Sequence, residues 1–208
     1  MRHITLGLFL PLLAAISTPL LASAAQASEP QKVMLVLDAS GSMWGKVDGR
    51  SKIDIARQAI HGLMKKWDKN IEVGLMAYGH RKKGDCGDIQ TIYPVSKANA
   101  AAINKAVDDL SPRGKTPLTA AVRQAARELK SSEDKATVIL VSDGRETCNA
   151  DPCAAAKELA KLSVGLTVHV IGFDVAKSEQ KQLKCLADNT HPTYPTSCRF
   201  PTPEPSHL

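Results

Sequence analysis

Aromatic residues are scarce in this chain, since Phe, Trp and Tyr together make up 4% of its 208 residues. A surface that binds nucleic acid combines clustered cations with aromatic side chains. The formal net charge is only +6, and the one dense group of cations is the segment HRKKG at positions 80–84. Such a segment is typical of a solvent-exposed loop, so we expect no nucleic-acid partner.

The sequence also lacks a second apolar run long enough to span a membrane after its first 27 residues. Those residues combine a basic start, an apolar centre and an Ala25-Gln26-Ala27 ending, the pattern of a signal peptide cut after Ala27. An uncleaved anchor is the alternative, which Pro11 and Pro19 disfavour. We expect an exported protein, in the periplasm or the medium, with no stable membrane anchor and, once Arg2 is lost, a net charge of +5.

No C-x-x-C motif occurs, and the segment CNADPC (148–153) is spaced too loosely for a zinc knuckle. Five cysteines follow the leader: Cys86, Cys148, Cys153, Cys185 and Cys198. In an exported protein they are expected to pair, and the odd number leaves at least one unmatched. A bridge between Cys148 and Cys153 would stiffen the loop between them. Pairing of either with Cys86 or Cys185 is the alternative, and Cys198 is the expected odd one.

Apolar runs of strand type alternate with helical patterns through the middle of the chain. The predicted strands are 32–38, 71–78, 89–95, 136–143 and 165–174, and the predicted helices are 51–67, 97–110, 118–130, 152–163 and 178–188. Strands separated by helices of this length predict an α/β fold with a doubly wound, mainly parallel sheet and helices on both faces. The short link GHRKKGDCGD between the second and third strands permits a hairpin, so one edge strand is expected to be antiparallel.

The chain is expected to form one domain, over residues 28–190, after a signal peptide at residues 1–27. Residues 191–208 carry five prolines, at positions 192, 195, 201, 203 and 205. Prolines at this density exclude a helix and a central strand. We therefore expect this tail to be extended or disordered.

Three predicted loops carry side chains that donate oxygen ligands. Asp38, Ser40 and Ser42 follow the first strand, Thr116 precedes a helix, and Asp143 follows the ATVILVS strand. In open parallel sheets, ligands bind at the carboxyl ends of the strands. Two carboxylates and three hydroxyls suit a hard cation such as Mg²⁺, Mn²⁺ or Ca²⁺ and suit zinc poorly. Taken singly, an Asx turn, a helix cap and an Asp-Gly turn would also explain these residues.

On these residues the chain resembles a von Willebrand factor type A domain of the bacterial secreted kind. The D-x-S-x-S motif of that family's metal-ion-dependent adhesion site falls on Asp38, Ser40 and Ser42, its threonine on Thr116 and its aspartate before glycine on Asp143. The resemblance implies that the three hydroxyls ligate the ion directly and that the two aspartates bind it directly or through water. It further implies that a partner protein's Asp or Glu completes the octahedron, in a binding domain that is not an enzyme.

Two other functions would use the same residues. A metal-assisted hydrolase would activate water on the ion, but none of His61, His80 and His169 belongs to a motif that would make it the general base. A structural domain with a vestigial metal site is the other alternative, which the complete ligand set disfavours. The Gly-Lys-Thr of RGKTP lacks the earlier glycine of a P-loop, so a nucleotide site is not expected.

The C-terminal part departs from the family pattern. The family usually continues with another strand and helix after a Gly-Gly-x-Tyr segment, whereas NTHPTYPTS has the tyrosine without the glycines. The departure predicts a sheet that ends early at its C-terminal edge, with that edge open or covered by the tail. A truncated reading frame would produce the same departure.

Overall fold

The computed structural model describes residues 31–129, 135–162 and 165–190, so the predicted signal peptide, the proline-rich tail and Cys198 lie outside the described ranges. The strands of the described chain are β1 (Lys32–Asp38), β2 (Lys46–Val47), β3 (Arg50–Ser51), β4 (Glu72–Tyr78), β5 (Ile89–Lys97), β6 (Ala136–Ser142) and β7 (Leu166–Gly172). Its α-helices are α1 (Lys52–Lys65), α2 (Ala100–Asp108), α3 (Leu118–Leu129), α4 (Pro152–Leu162) and α5 (Lys177–Asp188).

Five strands form one sheet in the order β5-β4-β1-β6-β7. The pairs β1–β4, β1–β6 and β6–β7 are parallel, and β5 pairs with β4 in the antiparallel direction. The predicted doubly wound sheet with one antiparallel edge strand is therefore confirmed. Within the described ranges, no helix is long and apolar enough to cross a membrane.

The helices cover both faces of this sheet and create two cores. Residues of α3, α4 and α5 pack on one face, and residues of α1 and α2 pack on the other. Along β1, Met34 and Val36 join the first core, while Val33, Leu35 and Leu37 join the second. Because successive side chains of a strand point to opposite faces, a central strand covered on both sides needs a continuous apolar run. This is why β1 is apolar without a break from Val33 to Leu37, between Lys32 and the final Asp38.

A short hairpin and a 3-10 helix between β1 and α1 were not predicted. The 3-10 helix spans Gly41–Trp44, and β2 pairs with β3 around Asp48 and Gly49, which have φ angles of 48° and 81°. An Asp-Gly pair at positive φ is the preferred centre of a two-residue hairpin turn. The dipeptide was therefore a usable sign of this hairpin, although two-residue strands carry too little apolar pattern to be recognised by period.

The disulfides decide between the pairings left open by the sequence: the bridge between Cys148 and Cys153 is wrong, and pairing with Cys86 and Cys185 is confirmed. Cys86 is bonded to Cys148, and Cys153 is bonded to Cys185, with Cα atoms 5.7 and 5.2 Å apart. Cys148 and Cys153 are thus not joined to each other. Each instead reaches a cysteine distant in sequence, because the loop after β6 lies against the loop after β4 while α4 packs beside α5.

Replacing Cys153 and Cys185 together by alanine should destabilise the domain. The bridge closes a segment with a sequence separation of 32 residues, and the loss of that cross-link from the unfolded state costs about 3–4 kcal/mol. Urea unfolding followed by circular dichroism should show the lower midpoint, and non-reducing peptide maps of the wild type should show both bridges. An unchanged midpoint in the double variant would contradict the pairing.

Candidate metal centre

The candidate site lies where the strand order of the sheet reverses. The chain passes from β1 to β4 on one side, whereas β6 and β7 extend the sheet on the other side of β1. Loops leaving β1 and β6 therefore diverge and open a crevice at the carboxyl edge. Asp38 is the last residue of β1, and Asp143 directly follows β6. Both residues are buried, with 0% of the surface of Asp38 and 6% of the surface of Asp143 exposed.

The loop after β1 turns its side chains toward Asp143. The Ser40 amide donates to Asp38 Oδ1 at 2.8 Å, which folds the loop back on the end of the strand. The hydroxyls of Ser40 and Ser42 are hydrogen-bonded at 3.0 Å, and the Ser42 hydroxyl donates to Asp143 Oδ1 at 2.8 Å. These contacts bring four of the five sequence-predicted residues into one connected group of oxygen atoms.

Thr116 is held beside this group by the segment that follows Asp143. Its amide donates to Thr147 Oγ1 at 2.7 Å, and the Thr147 amide donates back to the Thr116 carbonyl at 3.1 Å. Glu146 accepts from the Thr119 amide in the first turn of α3 and from the Cys148 amide. Glu146 therefore caps this helix start, the task for which the sequence offered Thr116. Neither Glu146 nor Thr147 was identified as a positioning residue from the sequence.

Two glycines allow three loops to approach one another around Ser40. The Gly114 amide donates to the Gly79 carbonyl at 2.7 Å, and the Gly41 amide donates to the Gly114 carbonyl at 3.0 Å. A Cβ on Gly79, which has a φ of 70°, would lie 2.5 Å from the Lys115 carbonyl oxygen. A Cβ on Gly114 would lie 2.6 Å from the carbonyl oxygen of Lys82. Glycine is thus required at both positions by close backbone contact.

Asp38 is supported by a buried polar chain. The Ser142 hydroxyl donates to Asp38 Oδ2 at 2.6 Å, and the Tyr78 hydroxyl donates to Ser142 Oγ at 3.3 Å. Burial, and then the charge of Asp143, raises the pKa of Asp38 from 3.8 to about 6, although hydrogen bonds from Ser142 and Ser40 oppose the change. A nearby cation would stabilise the charged form of this buried carboxylate.

Lys52, at the start of α1, is a site residue that sequence reasoning missed. Its Nζ atom lies 3.1 Å from Asp143 Oδ2 and 3.2 Å from Asp174 Oδ2. Burial alone would lower the pKa of Lys52, but the hydrogen bonds and charges of these two aspartates raise it above its ordinary value. The Lys52 side chain is therefore charged. It pairs with Oδ2 of Asp143, while the Ser42 hydroxyl donates to Oδ1.

Two cavities that share lining residues open at this edge, with volumes of about 280 and about 410 Å³. Ser42, Thr116 and Thr147 line both, Ser40 lines the first, and Asp143 lines the second. In the described part of the chain, no group of three or more His, Cys, Asp or Glu side chains could hold a metal. A cation here would need the hydroxyls as well as the two carboxylates. This all-oxygen donor set fits a hard divalent cation.

Replacing Gly114 by alanine should destabilise the domain, because its Cβ would meet the Lys82 carbonyl and force the loops apart. We expect a loss of about 1–3 kcal/mol, the usual cost of overpacking. Gly62 is a matched control, since it lies within α1 with open space around its Cα, and alanine there should stabilise by about 1 kcal/mol. Equal urea midpoints for the two variants would contradict the close-packing account.

The burial of Asp38 should make stability depend on pH when divalent ions are absent. The folded state holds a proton on Asp38 up to pH about 6, whereas the unfolded state releases it near its ordinary value, so the free energy of unfolding falls as pH rises between them. The Asp38→Asn variant has no carboxyl group at this position, so its stability lacks this dependence on pH. In EDTA, its stability relative to wild type should therefore rise between pH 4 and pH 7 by about 2 kcal/mol. Urea titrations would measure the difference, and a constant difference would contradict the account.

Comparisons with known proteins agree with this architecture. The model of the von Willebrand factor type A domain matches residues 32–201. YwmC of Bacillus subtilis (strain 168), described as uncharacterized, is 31% identical over 196 residues, covering 90% of this chain and 83% of that protein. YwmD of the same organism, also described as uncharacterized, is 29% identical over 179 residues, covering 82% of this chain and 79% of that protein.

Solved structures share the fold at low identity. A von Willebrand factor type A protein from Catenulispora acidiphila matches with a TM-score of 0.62 and 24% identity, covering 79% of this chain and 37% of that chain. The pilus adhesin SpaC from Lactobacillus rhamnosus GG matches with a TM-score of 0.65 and 18% identity, over 79% of this chain and 28% of that chain. Proximal thread matrix protein 1 from the mussel byssus, with a zinc-occupied adhesion-site motif, matches with a TM-score of 0.59 and 19% identity, over 77% of this chain and 39% of that chain.

The chain thus spans between about a quarter and two fifths of the length of these three structures, whereas it spans most of the two Bacillus relatives. At these identities the solved structures show the fold alone. The family model, in contrast, matches far more than half of the chain. The protein is therefore a member of the von Willebrand factor type A domain family.

Proposed function

We propose that the carboxyl edge of the sheet is a metal-ion-dependent adhesion site that binds a divalent cation. Ser40, Ser42 and Thr116 would supply hydroxyl ligands, and Asp38 and Asp143 would bind directly or through water. The ion would supply a Lewis-acidic position for an oxygen ligand from outside the chain. The observation that carries the proposal is the connected group of oxygens running from Ser40 through Ser42 to Asp143 at the wall of an open cavity.

Mg²⁺, Mn²⁺ and Ca²⁺ are the proposed ions, because the donors are hydroxyl and carboxylate oxygens. A mostly neutral ligand set leaves positive charge on the ion and coordination positions for water or an incoming anion. The mussel protein with zinc in its adhesion-site motif shows that a fold neighbour accommodates Zn²⁺. Zinc therefore belongs in any binding assay of this protein.

We further propose that the incoming ligand is an Asp or Glu side chain of a partner protein. A carboxylate matches both the hardness and the residual charge of an ion held by three hydroxyls and two carboxylates. Among the fold neighbours, SpaC is a pilus adhesin and PilB of Streptococcus sanguinis is a minor pilin. Those names describe proteins of cell-surface attachment, which supports a role in adhesion or interaction for this domain.

Binding, rather than catalysis, fits the side chains around the cavities. His61 lies 3.1 Å from Asp108, and His80 is hydrogen-bonded to Gln90. Neither histidine is among the residues that line the two cavities. Glu179 is the carboxylate lining the larger cavity that would serve a metal-assisted hydrolase as general base. That alternative predicts metal-dependent turnover of ester or phosphoester substrates, which Glu179→Gln would abolish.

We propose that the protein works outside the cytoplasm, in the periplasm or the medium. Two disulfides join its described cysteines, and structural disulfides persist in oxidising compartments. The leader at residues 1–27 has the pattern of a signal peptide. An N-terminal sequence starting at Ser28 in the exported protein would test the cleavage.

Isothermal titration of the purified protein with Mg²⁺, Mn²⁺, Ca²⁺ and Zn²⁺ tests the metal proposal. Ser42→Ala and Asp143→Asn should each weaken binding by about tenfold or more, because the first removes a hydroxyl ligand and the second replaces a carboxylate by a neutral amide. Ser96→Ala is the matched control, since Ser96 pairs with Val73 at the opposite edge of the sheet and should leave affinity unchanged. A wild type that binds none of the four ions would refute the proposal.

The partner proposal is tested by capture from an envelope extract on immobilised protein. Captured proteins should be released by EDTA, should be retained again when Mg²⁺ is restored, and should be missing with Asp143→Asn. Partners retained equally in EDTA would leave a metal site without a role in recognition.

A further inference from the structure

Trp44 exposes a large apolar surface beside the proposed metal site. Within the described part of the chain it is the one large hydrophobic residue that is exposed, with 53% of its surface accessible. Its indole Nε1–H donates to the Pro112 carbonyl at 2.9 Å, which fixes the ring against the loop before α3. A tryptophan that is exposed yet held in one position loses little conformational freedom when a ligand covers it, and aromatic anchors of this kind dominate binding surfaces.

The 3-10 helix determines where Trp44 points. Met43, its neighbour, is fully buried in the core between the sheet and α1, so the turn places Trp44 on the outer side. Trp44 follows Ser42 by two residues, and two peptide units span at most about 7 Å. This short separation would allow an extended ligand whose carboxylate reaches the ion to place a side chain one or two residues away against the indole ring.

Charge is distributed unequally around the metal edge. Loops 39–51, 79–88 and 111–117 carry seven Lys and Arg residues and three Asp residues. Loops 143–151 and 173–176, on the β6 and β7 side, carry one Arg residue against four Asp and Glu residues. Arg113 and Lys115 are exposed next to the carbonyl that holds Trp44, and Lys115 lines the same cavity as Ser40 and Ser42. Lys52 contacts Asp143 and Asp174 on the second side, which offsets part of its negative charge. An acidic ligand is therefore attracted more strongly to the side that contains Trp44 than to the other.

We propose that Trp44, Arg113 and Lys115, the Trp44 flank, form a second recognition surface next to the metal site. Its occupant is an acidic protein segment with an apolar side chain one or two residues from the carboxylate that binds the ion. The flanking acids of that segment lie toward Arg113 and Lys115, and the apolar side chain covers the indole. This inference rests on the proposed metal-dependent function and adds the residues that select among acidic partners.

Arrays of peptides with one fixed Asp and every neighbouring position varied test the preference. The full exported protein, labelled with a fluorophore, is applied in Mg²⁺ and in EDTA. Wild type should retain peptides with Phe, Leu, Ile or Trp one or two residues from the fixed Asp and with further acids nearby. Trp44→Ala should lose the apolar preference and bind the selected peptide about thirty-fold more weakly, as expected for an aromatic hot spot.

Further variants separate packing, charge and metal binding. Trp44→Phe keeps an apolar ring without the Pro112 hydrogen bond and should retain most of the preference. Arg113→Gln with Lys115→Gln should lose the preference for flanking acids, whereas Lys66→Gln with Lys69→Gln changes the same charge away from the metal edge and should not. Mg²⁺ affinity, measured by titration, should be equal in Trp44→Ala and wild type.

The outcomes distinguish the two proposals. The Trp44 flank is overturned if Trp44→Ala retains peptides in Mg²⁺ with the same apolar preference as wild type. It is also overturned if wild type retains them in Mg²⁺ with no apolar preference. Either outcome leaves the metal-dependent function standing. Better competition by an acidic polysaccharide than by any peptide also overturns it. The absence of Mg²⁺-dependent retention of every acidic peptide refutes carboxylate binding at the metal and the flank with it.

Discussion

The parallel pairing of β1 with β6 is the constraint on which the site depends. Register places Leu37 opposite Val141, so the two strands end together. Asp38 follows Leu37 directly, Asp143 follows Val141 after Ser142, and both aspartates lie at the same edge of the sheet. The chain then leaves in opposite directions, which opens the space between the loops. Neither carboxylate would face that space if β1 and β6 were separated by another strand. The apolar runs that pair the two strands therefore contribute to the site as directly as the polar residues that follow them.

Ionisation of the two aspartates is the electrostatic cost of this arrangement. Burial and proximity raise the pKa of Asp38, while Lys52 and the Ser42 hydroxyl stabilise the charge of Asp143. The chain thus compensates one carboxylate internally and leaves the other dependent on Ser40, Ser142 and any cation that binds. A divalent ion would replace repulsion between Asp38 and Asp143 by attraction to both. Binding of such an ion would for that reason also stabilise this edge.

Much of the fold could be predicted, because the spacing of apolar residues and the lengths of the loops indicate each strand, helix and connection from local sequence. The alternation of strands and helices predicted the parallel sheet, and the short link after β4 predicted the antiparallel edge strand. The Asp38, Ser40, Ser42, Thr116 and Asp143 set could be selected because a motif and strand ends coincide. Lys52, Ser142 and Thr147 could not, since each acts through a contact between segments far apart in sequence. The sequence could not choose between the two cysteine pairings for the same reason, because bridging depends on distance across the fold and not along the chain.

The cross-link between Cys86 and Cys148 shows how the loops are held without extensive apolar packing. It joins the loop after β4 to the segment that fixes Thr116 through Thr147 and caps α3 through Glu146. The same loop after β4 contacts Ser40 and Gly114 through the close approach at Gly79. Each proposed ligand thus belongs to a loop tied to at least one other by a covalent bond or by backbone hydrogen bonds. A site arranged in this way would lose little loop entropy on binding, so the affinity of the proposed site for a partner would depend mainly on the ion and on the exposed side chains around it. Trp44 stands out among those side chains because it combines large apolar area with a fixed position.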